Sequence, residues 1–441
     1  MNRIVIAGTS SHCGKTTVTC AILSALRHRG LKVCAYKTGP DYIDPQYLRL
    51  AGQCEAYNLD TWLMTGERTI QLFAETSRGN DAAIIEGAMG LYDGGMNSTA
   101  EISKLLRAPV VLVIDAKSAG ESAAAVALGF REYDSDVNVA GVILNRVGSD
   151  YHAGIIAEAL RAKGISLLGT FRRNDGLAVP ERHLGLVPAD EFSGCDYDLL
   201  GREAESCIDV GELMRIAGSS GSLHDVPLHE ITPCVHGVIV GIARDEALSF
   251  YYPDSLRTLE ALGANLVFFS PMRDDCLPKA DGYIFGGGFP EMFAQELSGN
   301  ASMLECIRLC RKPVLAECGG FMYLCRSITD TSGNVHGMAG VIPYDSVMTS
   351  RPVLGYMTAR ALRDSILCAE GQVLRGHEFH YSTVDGEQDK DTRLFELTRR
   401  GTNTSHYGGY VKGNITASYL HTNFFGNIES AKRFLSLIDI K

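Results

Sequence analysis

An α/β architecture in two domains, each a mostly parallel sheet flanked by helices, is what this sequence predicts. Three observations predict it. The chain has 441 residues at 45% hydrophobic, more than one core usually supports. Short apolar runs alternate with longer amphipathic stretches. Two turn motifs, Gly8-Thr9-Ser10-Ser11-His12-Cys13-Gly14-Lys15-Thr16-Thr17 and Ala316-Glu317-Cys318-Gly319-Gly320, each follow a strand-like run and precede a helix-like one.

The first half supplies apolar runs at residues 3–7, 82–85, 110–114 and 139–144, spaced as buried parallel strands separated by helices. Residues 195–234 lack that rhythm and carry Gly218-Ser219-Ser220-Gly221-Ser222, so domains are expected at 1–192 and 236–441, with a linker region at 193–235. A second series at 238–243, 265–270, 282–285 and 313–316 repeats the layout. The net charge of −11 disfavours a nucleic-acid or membrane-surface partner, because both reward a basic face. No apolar stretch reaches transmembrane length, and residues 1–8 read as a strand rather than a signal peptide, so the expected location is cytoplasmic. The 13 cysteines are scattered without zinc or disulfide spacing; Cys306 and Cys310, four apart in a predicted helix, read as small buried apolar residues.

A glycine-rich turn between strand and helix exposes consecutive backbone N–H groups, and the helix N-terminus adds partial positive charge, so phosphate oxygens fit the concavity. Gly8, Thr9, Gly14, Lys15, Thr16 and Thr17 are the expected nucleotide contacts. Lys15 would reach the terminal phosphates, and the Thr16 hydroxyl a bridging Mg2+ ion. Gly8 stands one residue earlier than the usual first glycine, with Thr9 in that glycine's place, while the amphipathic helix expected over 18–27 supplies the required context.

Two acidic loops follow at the carboxyl ends of predicted strands, where open α/β sheets hold ligands. They are Lys37-Thr38-Gly39-Pro40-Asp41-Tyr42-Ile43-Asp44-Pro45 and Glu86-Gly87-Ala88-Met89-Gly90-Leu91-Tyr92-Asp93-Gly94. Carboxylates beside a triphosphate serve as magnesium ligands or organise the phosphoryl acceptor, and Asp41 and Glu86 are the candidates for both tasks. Asp in a Pro/Gly-rich loop also caps turns, and that reading stands beside the functional one for Asp41, Asp44 and Asp93, most strongly for Asp44 ahead of Pro45. Asn145, at a strand end, reads equally as a purine contact or a turn residue. Tyr42, Asp44, Asp60 and Arg182 are the substrate-side candidates, the loop around Arg182 being equally readable as solvated.

The downstream motif has the form of a nucleophile elbow: a buried strand, a tight turn at Cys318, then a helix start whose dipole favours a thiolate. A thiolate needs a base, and His421 at a strand end is the outstanding candidate, with His377 and His380 in Gly376-His377-Glu378-Phe379-His380-Tyr381-Ser382 as competitors. Gly286-Gly287-Gly288-Phe289-Pro290-Glu291 would add backbone donors, so Gly287 and Gly319 are the expected oxyanion hole.

Together with Ala243-Arg244-Asp245-Glu246-Ala247, this ordered series resembles the cobyrinate a,c-diamide synthase family along nearly the whole chain, and in the first half its more distant relative dethiobiotin synthetase. The resemblance implies a P-loop NTPase-like domain joined to a class I triad-type glutamine amidotransferase domain. ATP and Mg2+ would activate peripheral carboxylates of cobyrinate as acyl phosphates, and ammonia from glutamine would trap them. Cys318 would be the nucleophile and His421 its base, while Asn423 stands where the usual triad places an acid, as in relatives of this branch; Glu378 is a fallback orienting group. Nickel sirohydrochlorin and hydrogenobyrinate are alternative substrates, and a homodimer is entertained as the assembly. A P-loop nucleotide-switch ATPase and a stand-alone glutaminase are the readings from other classes.

Overall fold

The computed structural model describes residues 1–172, 181–182, 185–186, 195–227, 229–385, 389–402 and 404–439. The chain divides into two units, Met1–Thr61 with Thr65–His229, and Trp62–Met64 with Glu230–Lys441.

The first unit alternates strand and helix: β1 (Asn2–Gly8), α1 (Lys15–His28), β2 (Val33–Thr38), α2 (Asp44–Gly52), β3 (Ala56–Leu59), α3 (Thr61–Thr76), β4 (Ala82–Gly90), α4 (Thr99–Leu105), β5 (Val110–Asp115), α5 (Ser122–Tyr133), β6 (Val139–Val147), α6 (Asp150–Ala162) and β7 (Leu167–Arg172). All seven strands pair in parallel in the order β3-β2-β4-β1-β5-β6-β7. Helices must then cover both faces, and the central strands accordingly carry unbroken apolar runs, as in Ile4, Val5, Ile6 and Ala7. Two short strands, β8 (Glu181–Arg182) and β9 (Gly185–Leu186), pair antiparallel. The segment expected as a linker holds α7 (Tyr197–Cys207) and α8 (Val210–Gly218). Both are amphipathic, begin at Asp caps, and bury Leu200, Ala204, Leu213 and Ile216, so they belong to the unit's packed shell rather than to a free tether.

The second unit contains β10 (Val238–Ala243), α9 (Pro253–Ala261), β11 (Ala264–Phe269), β12 (Gly282–Phe285), α10 (Ala294–Gly299), α11 (Ala301–Leu309), β13 (Val314–Glu317), α12 (Gly319–Leu324), β14 (Ser327–Thr329), β15 (Val335–Gly337), β16 (Asp345–Ala361), β17 (Val373–Asp385), β18 (Arg393–Arg399), β19 (Ser405–Lys412), β20 (Ile415–Ser418), β21 (His421–Thr422) and α13 (Ile428–Ile438). Its sheet is mixed. Strands β11-β10-β12-β13-β20 are parallel, and β19, β18, β16 and β17 continue antiparallel. Alternate residues feed opposite cores: Phe285 and Ala316 pack with Phe321 and Tyr323, whereas Ile284 and Leu315 pack with Leu259 and Phe434.

The reading of Cys306 as a plain apolar residue needs correction. It is disulfide-bonded to Cys276, with Cα atoms 5.6 Å apart. The loop after β11 folds back on α11, which a 30-residue separation could not disclose; Cys310 is a free thiol.

Candidate functional site

In the first unit, the candidate residues converge at the carboxyl ends of β1, β2 and β4. Gly14 caps α1 with φ 84°, a left-handed conformation suited to glycine, and a Cβ there would lie 2.1 Å from Asn145 Nδ2. Lys15 curls into its own loop and donates from Nζ to Ser10 O at 2.8 Å. A Cβ at Gly8 would lie 2.8 Å from that Nζ, so the loop closes only over glycine. Thr9 donates its backbone N–H to Val113 O at 3.3 Å, and Thr17 lies half-buried in the first turn of α1. Asn145 donates to Cys13 O at 3.0 Å and accepts from the Arg146 N–H at 2.9 Å, so its amide braces the phosphate loop.

The Thr16 hydroxyl donates to Glu86 Oε1 at 2.8 Å, and Lys37 Nζ donates to the same oxygen at 2.8 Å and to Asp44 Oδ2 at 2.5 Å. Burial alone would lower the Lys37 ammonium; the carboxylates of Asp44, Glu86 and Asp41 overturn that and raise it. Glu86 is fully buried and its carboxyl is raised, burial outweighing the pull of Lys37. Asp41 accepts the N–H groups of Ile43 (2.8 Å) and Asp44 (3.1 Å), and burial together with the Asp44 carboxylate pushes it up to about 7. Asp41 thus closes the turn that leads into α2, while Asp44 pairs directly with Lys37 beside Glu86 in the buried charge cluster. Asp93 closes its own turn through the Gly90 N–H at 2.9 Å. Asp60 is buried and accepts from Asn97 Nδ2 at 3.1 Å, and Tyr42 lies half-buried between β2 and α2. The backbone of Arg182 belongs to β8; its side chain and its neighbours Pro180, His183 and Leu184 lie outside the described residues.

Among the described residues, no group of three or more His, Cys, Asp or Glu side chains has a metal-binding arrangement. Glu86 Oε2 is nonetheless buried without a hydrogen-bond partner among them, beside the Thr16 hydroxyl. Magnesium takes one or two protein oxygens and keeps its waters, so Thr16 and Glu86 fit it; Asp41, with one oxygen spent on two amides, is less suited.

In the second unit, Cys318 links β13 to α12 with φ 47° and ψ −103°, and is 4% exposed. A non-glycine residue there carries backbone strain, as at other nucleophile elbows. The turn is tight because a Cβ at Gly320 would meet Phe285 O at 2.2 Å and one at Gly319 the Gly288 nitrogen at 2.9 Å. Tyr251 OH accepts the Gly286 N–H at 2.7 Å and donates to Ala243 O, which fixes the start of the glycine loop. Across from the thiol lies His421, 1% exposed, whose Cε1 would stand 2.5 Å from a Cβ at Gly287. Burial would lower this imidazole; the Cys318 thiolate and the Glu317 carboxylate overturn that and raise it to about 10.

The competing histidines have other partners. His377 stacks on His421 with centroids 4.9 Å apart and shares a 2.7 Å hydrogen bond with Tyr252 OH. His380 stacks on Tyr419 and bonds Ser382 O through Nδ1 at 2.7 Å. Asn423 and Glu378 do not orient His421: Asn423 donates to Asp254 Oδ2 at 2.6 Å and accepts the Gly426 N–H at 2.8 Å, and Glu378 pairs with His406 at 3.4 Å. Sequence reasoning passed over Lys37 and Glu317, although each is a charged residue at or next to the end of a mainly apolar strand, a signal available without the fold.

Residues 4–187 match the CobQ/CobB/MinD/ParA nucleotide binding domain, and residues 239–428 the CobB/CobQ-like glutamine amidotransferase domain. The chain is 41% identical to the cobyrinate a,c-diamide synthase of Dehalococcoides mccartyi strain CBDB1, covering 99% of this chain and 98% of that one. It is 39% identical to that of Listeria monocytogenes serovar 1/2a, covering 100% of both, and 41% identical to that of Gloeobacter violaceus, covering 98% and 96%. A strained thiol beside a buried histidine in one unit and a phosphate loop in the other thus accompany full-length similarity, and the chain belongs to the cobyrinate a,c-diamide synthase family.

Proposed function

We propose that the chain uses ATP and glutamine to amidate the a and c acetate carboxylates of cobyrinate in cobalamin synthesis. The observation that carries this reading is Cys318, held in a left-handed elbow against buried His421. A nucleotide-switch ATPase has no use for such a thiol, and a stand-alone glutaminase none for the phosphate loop.

The Cys318 thiol gives its proton to His421, and the thiolate attacks the glutamine carboxamide carbon. The Gly287 and Gly319 N–H groups receive the oxyanion; Gly319 opens α12, where a first-turn N–H has no intrahelical acceptor. The imidazolium returns the proton to the departing nitrogen, ammonia leaves, and water frees glutamate from the thioester. In the nucleotide domain, Lys15 and the α1 N-terminus hold the phosphates while the γ-phosphoryl passes to the substrate carboxylate, and ammonia then displaces phosphate from the acyl phosphate. Magnesium, held by Thr16 and Glu86, would supply charge neutralisation on the phosphate oxygens.

The test is mass spectrometry of the protein incubated with ATP, magnesium, glutamine and, in parallel, cobyrinate or nickel sirohydrochlorin. Two losses of about one mass unit on cobyrinate support the proposal; conversion of the nickel substrate alone moves the pathway, and no product from either sinks the assignment. Glu86→Ala should abolish amidation while sparing glutamine hydrolysis, and equal loss of both activities counts against its role.

A further inference from the structure

The position two residues beyond His421, where an orienting acid would be sought, belongs to Asn423, whose amide is committed to Asp254 and Gly426. Another carboxylate occupies the space beside the imidazole. Glu317, the last residue of β13, places Oε2 3.8 Å from His421 Nδ1, while its Oε1 accepts the Thr422 N–H at 3.1 Å and the Thr422 hydroxyl at 2.6 Å. These two bonds aim the second oxygen at the ring. The carboxylate is shielded, with a side-chain exposure of 14%, so its charge acts with little screening by water.

We propose that Glu317 is the positioning acid of the amidase site, supplied from the residue just before the nucleophile instead of from the segment after the histidine. The inference rests on the Cys318 and His421 reading above. Glu317 fixes Nδ1–H toward itself, which leaves Nε2 to take the thiol proton, and it stabilises the imidazolium until that proton passes to the departing ammonia. The remaining titratable groups around the ring do not compete for this task. Cys318 is the proton donor, His377 stacks on the face and is kept neutral by burial, and His380 is bound to Ser382 O.

The experiment compares full-length wild type with Glu317→Gln, Glu317→Asp and Cys318→Ala. It reads glutamine hydrolysis and the pH dependence of Cys318 alkylation by iodoacetamide, followed on the Cys318 peptide. Gln retains an acceptor oxygen for Thr422 and replaces the charged oxygen facing the ring by a neutral amide nitrogen. We expect Glu317→Gln to lower kcat on the order of 10²-fold with KM little changed, and to move the alkylation inflection upward by about one pH unit. Glu317→Asp should recover part of both. Wild-type kcat and an unmoved inflection in Glu317→Gln would reduce Glu317 to a strand pin and overturn the inference. Hydrolysis surviving in Cys318→Ala would instead overturn the nucleophile reading beneath it.

Discussion

Lys37→Met isolates the charge that holds the phosphate-side cluster together. The ammonium lies 2.8 Å from Glu86 Oε1 and 2.5 Å from Asp44 Oδ2, and Glu86 is wholly buried. At an effective dielectric near 20, the Glu86 contact alone is worth about 6 kcal/mol of attraction, which desolvation of both ions partly offsets. Deleting one partner strands a buried carboxylate whose remaining hydrogen-bond donor among the described residues is the Thr16 hydroxyl, and the net loss should be about 3–5 kcal/mol. For a unit of this size the first unit's melting transition should fall by on the order of 10 °C in calorimetry. The deficit also has a pH sign. The Glu86 carboxyl is already raised, and removing Lys37 removes the main influence lowering it. The native state then binds a proton that the unfolded chain releases, so stability declines as pH rises, and the deficit should be smaller at pH 5 than at pH 8. Lys37→Met combined with Glu86→Gln should recover most of the loss, because the stranded charge is gone. A single variant that melts like wild type, or a double variant no better than the single, would refute the argument that this lysine neutralises a buried acid cluster.

Asn145→Ala removes the donor to Cys13 O and should weaken ATP binding roughly tenfold by titration calorimetry, while glutamine hydrolysis stays unchanged. Gly319→Ala puts a methyl 2.9 Å from the Gly288 nitrogen, pushing the glycine loop off the elbow, and glutamine hydrolysis should fall on the order of 10²-fold in a steady-state assay. Asp254 is buried with Oδ1 unpartnered among the described residues, and burial lifts its carboxyl to about 6 despite the Asn423 hydrogen bond. An acid raised in the folded state favours folding when protonated and loses that advantage as pH climbs through about 6. Asp254→Asn should therefore stabilise the second unit by about 2–3 kcal/mol at pH 8, with the gain vanishing near pH 4, as followed by thermal melts across that range.

Local features made much of this legible in the sequence. The strands at 238–243 and 282–285 coincide with β10 and β12, because short apolar runs bounded by turns have one good use in a parallel sheet. The phosphate loop was legible because it is contiguous and its glycines answer to steric rules. Helices α7 and α8 escaped notice because their short apolar stripes lie beside a Gly/Ser run, and only burial against the sheet shows which side they serve. The parts of Asp41 and Asp44 were open for the same reason: each is an Asp in one loop, and the difference is whether a lysine from the adjoining strand reaches it.

The sequence by itself determined the α/β class of both halves, the phosphate loop, the elbow at Cys318 and a histidine shortly after β20, since each is written within a few residues and obeys local backbone physics. Tertiary structure alone decided that Asn145 braces the loop, that Lys37 neutralises Glu86 and Asp44, that Cys276 meets Cys306, and that Glu317 rather than Asn423 or Glu378 faces His421. Those pairings join residues from 7 to 132 positions apart. Which partners meet depends on strand order and register, and neither is encoded in the spacing of the residues that finally touch.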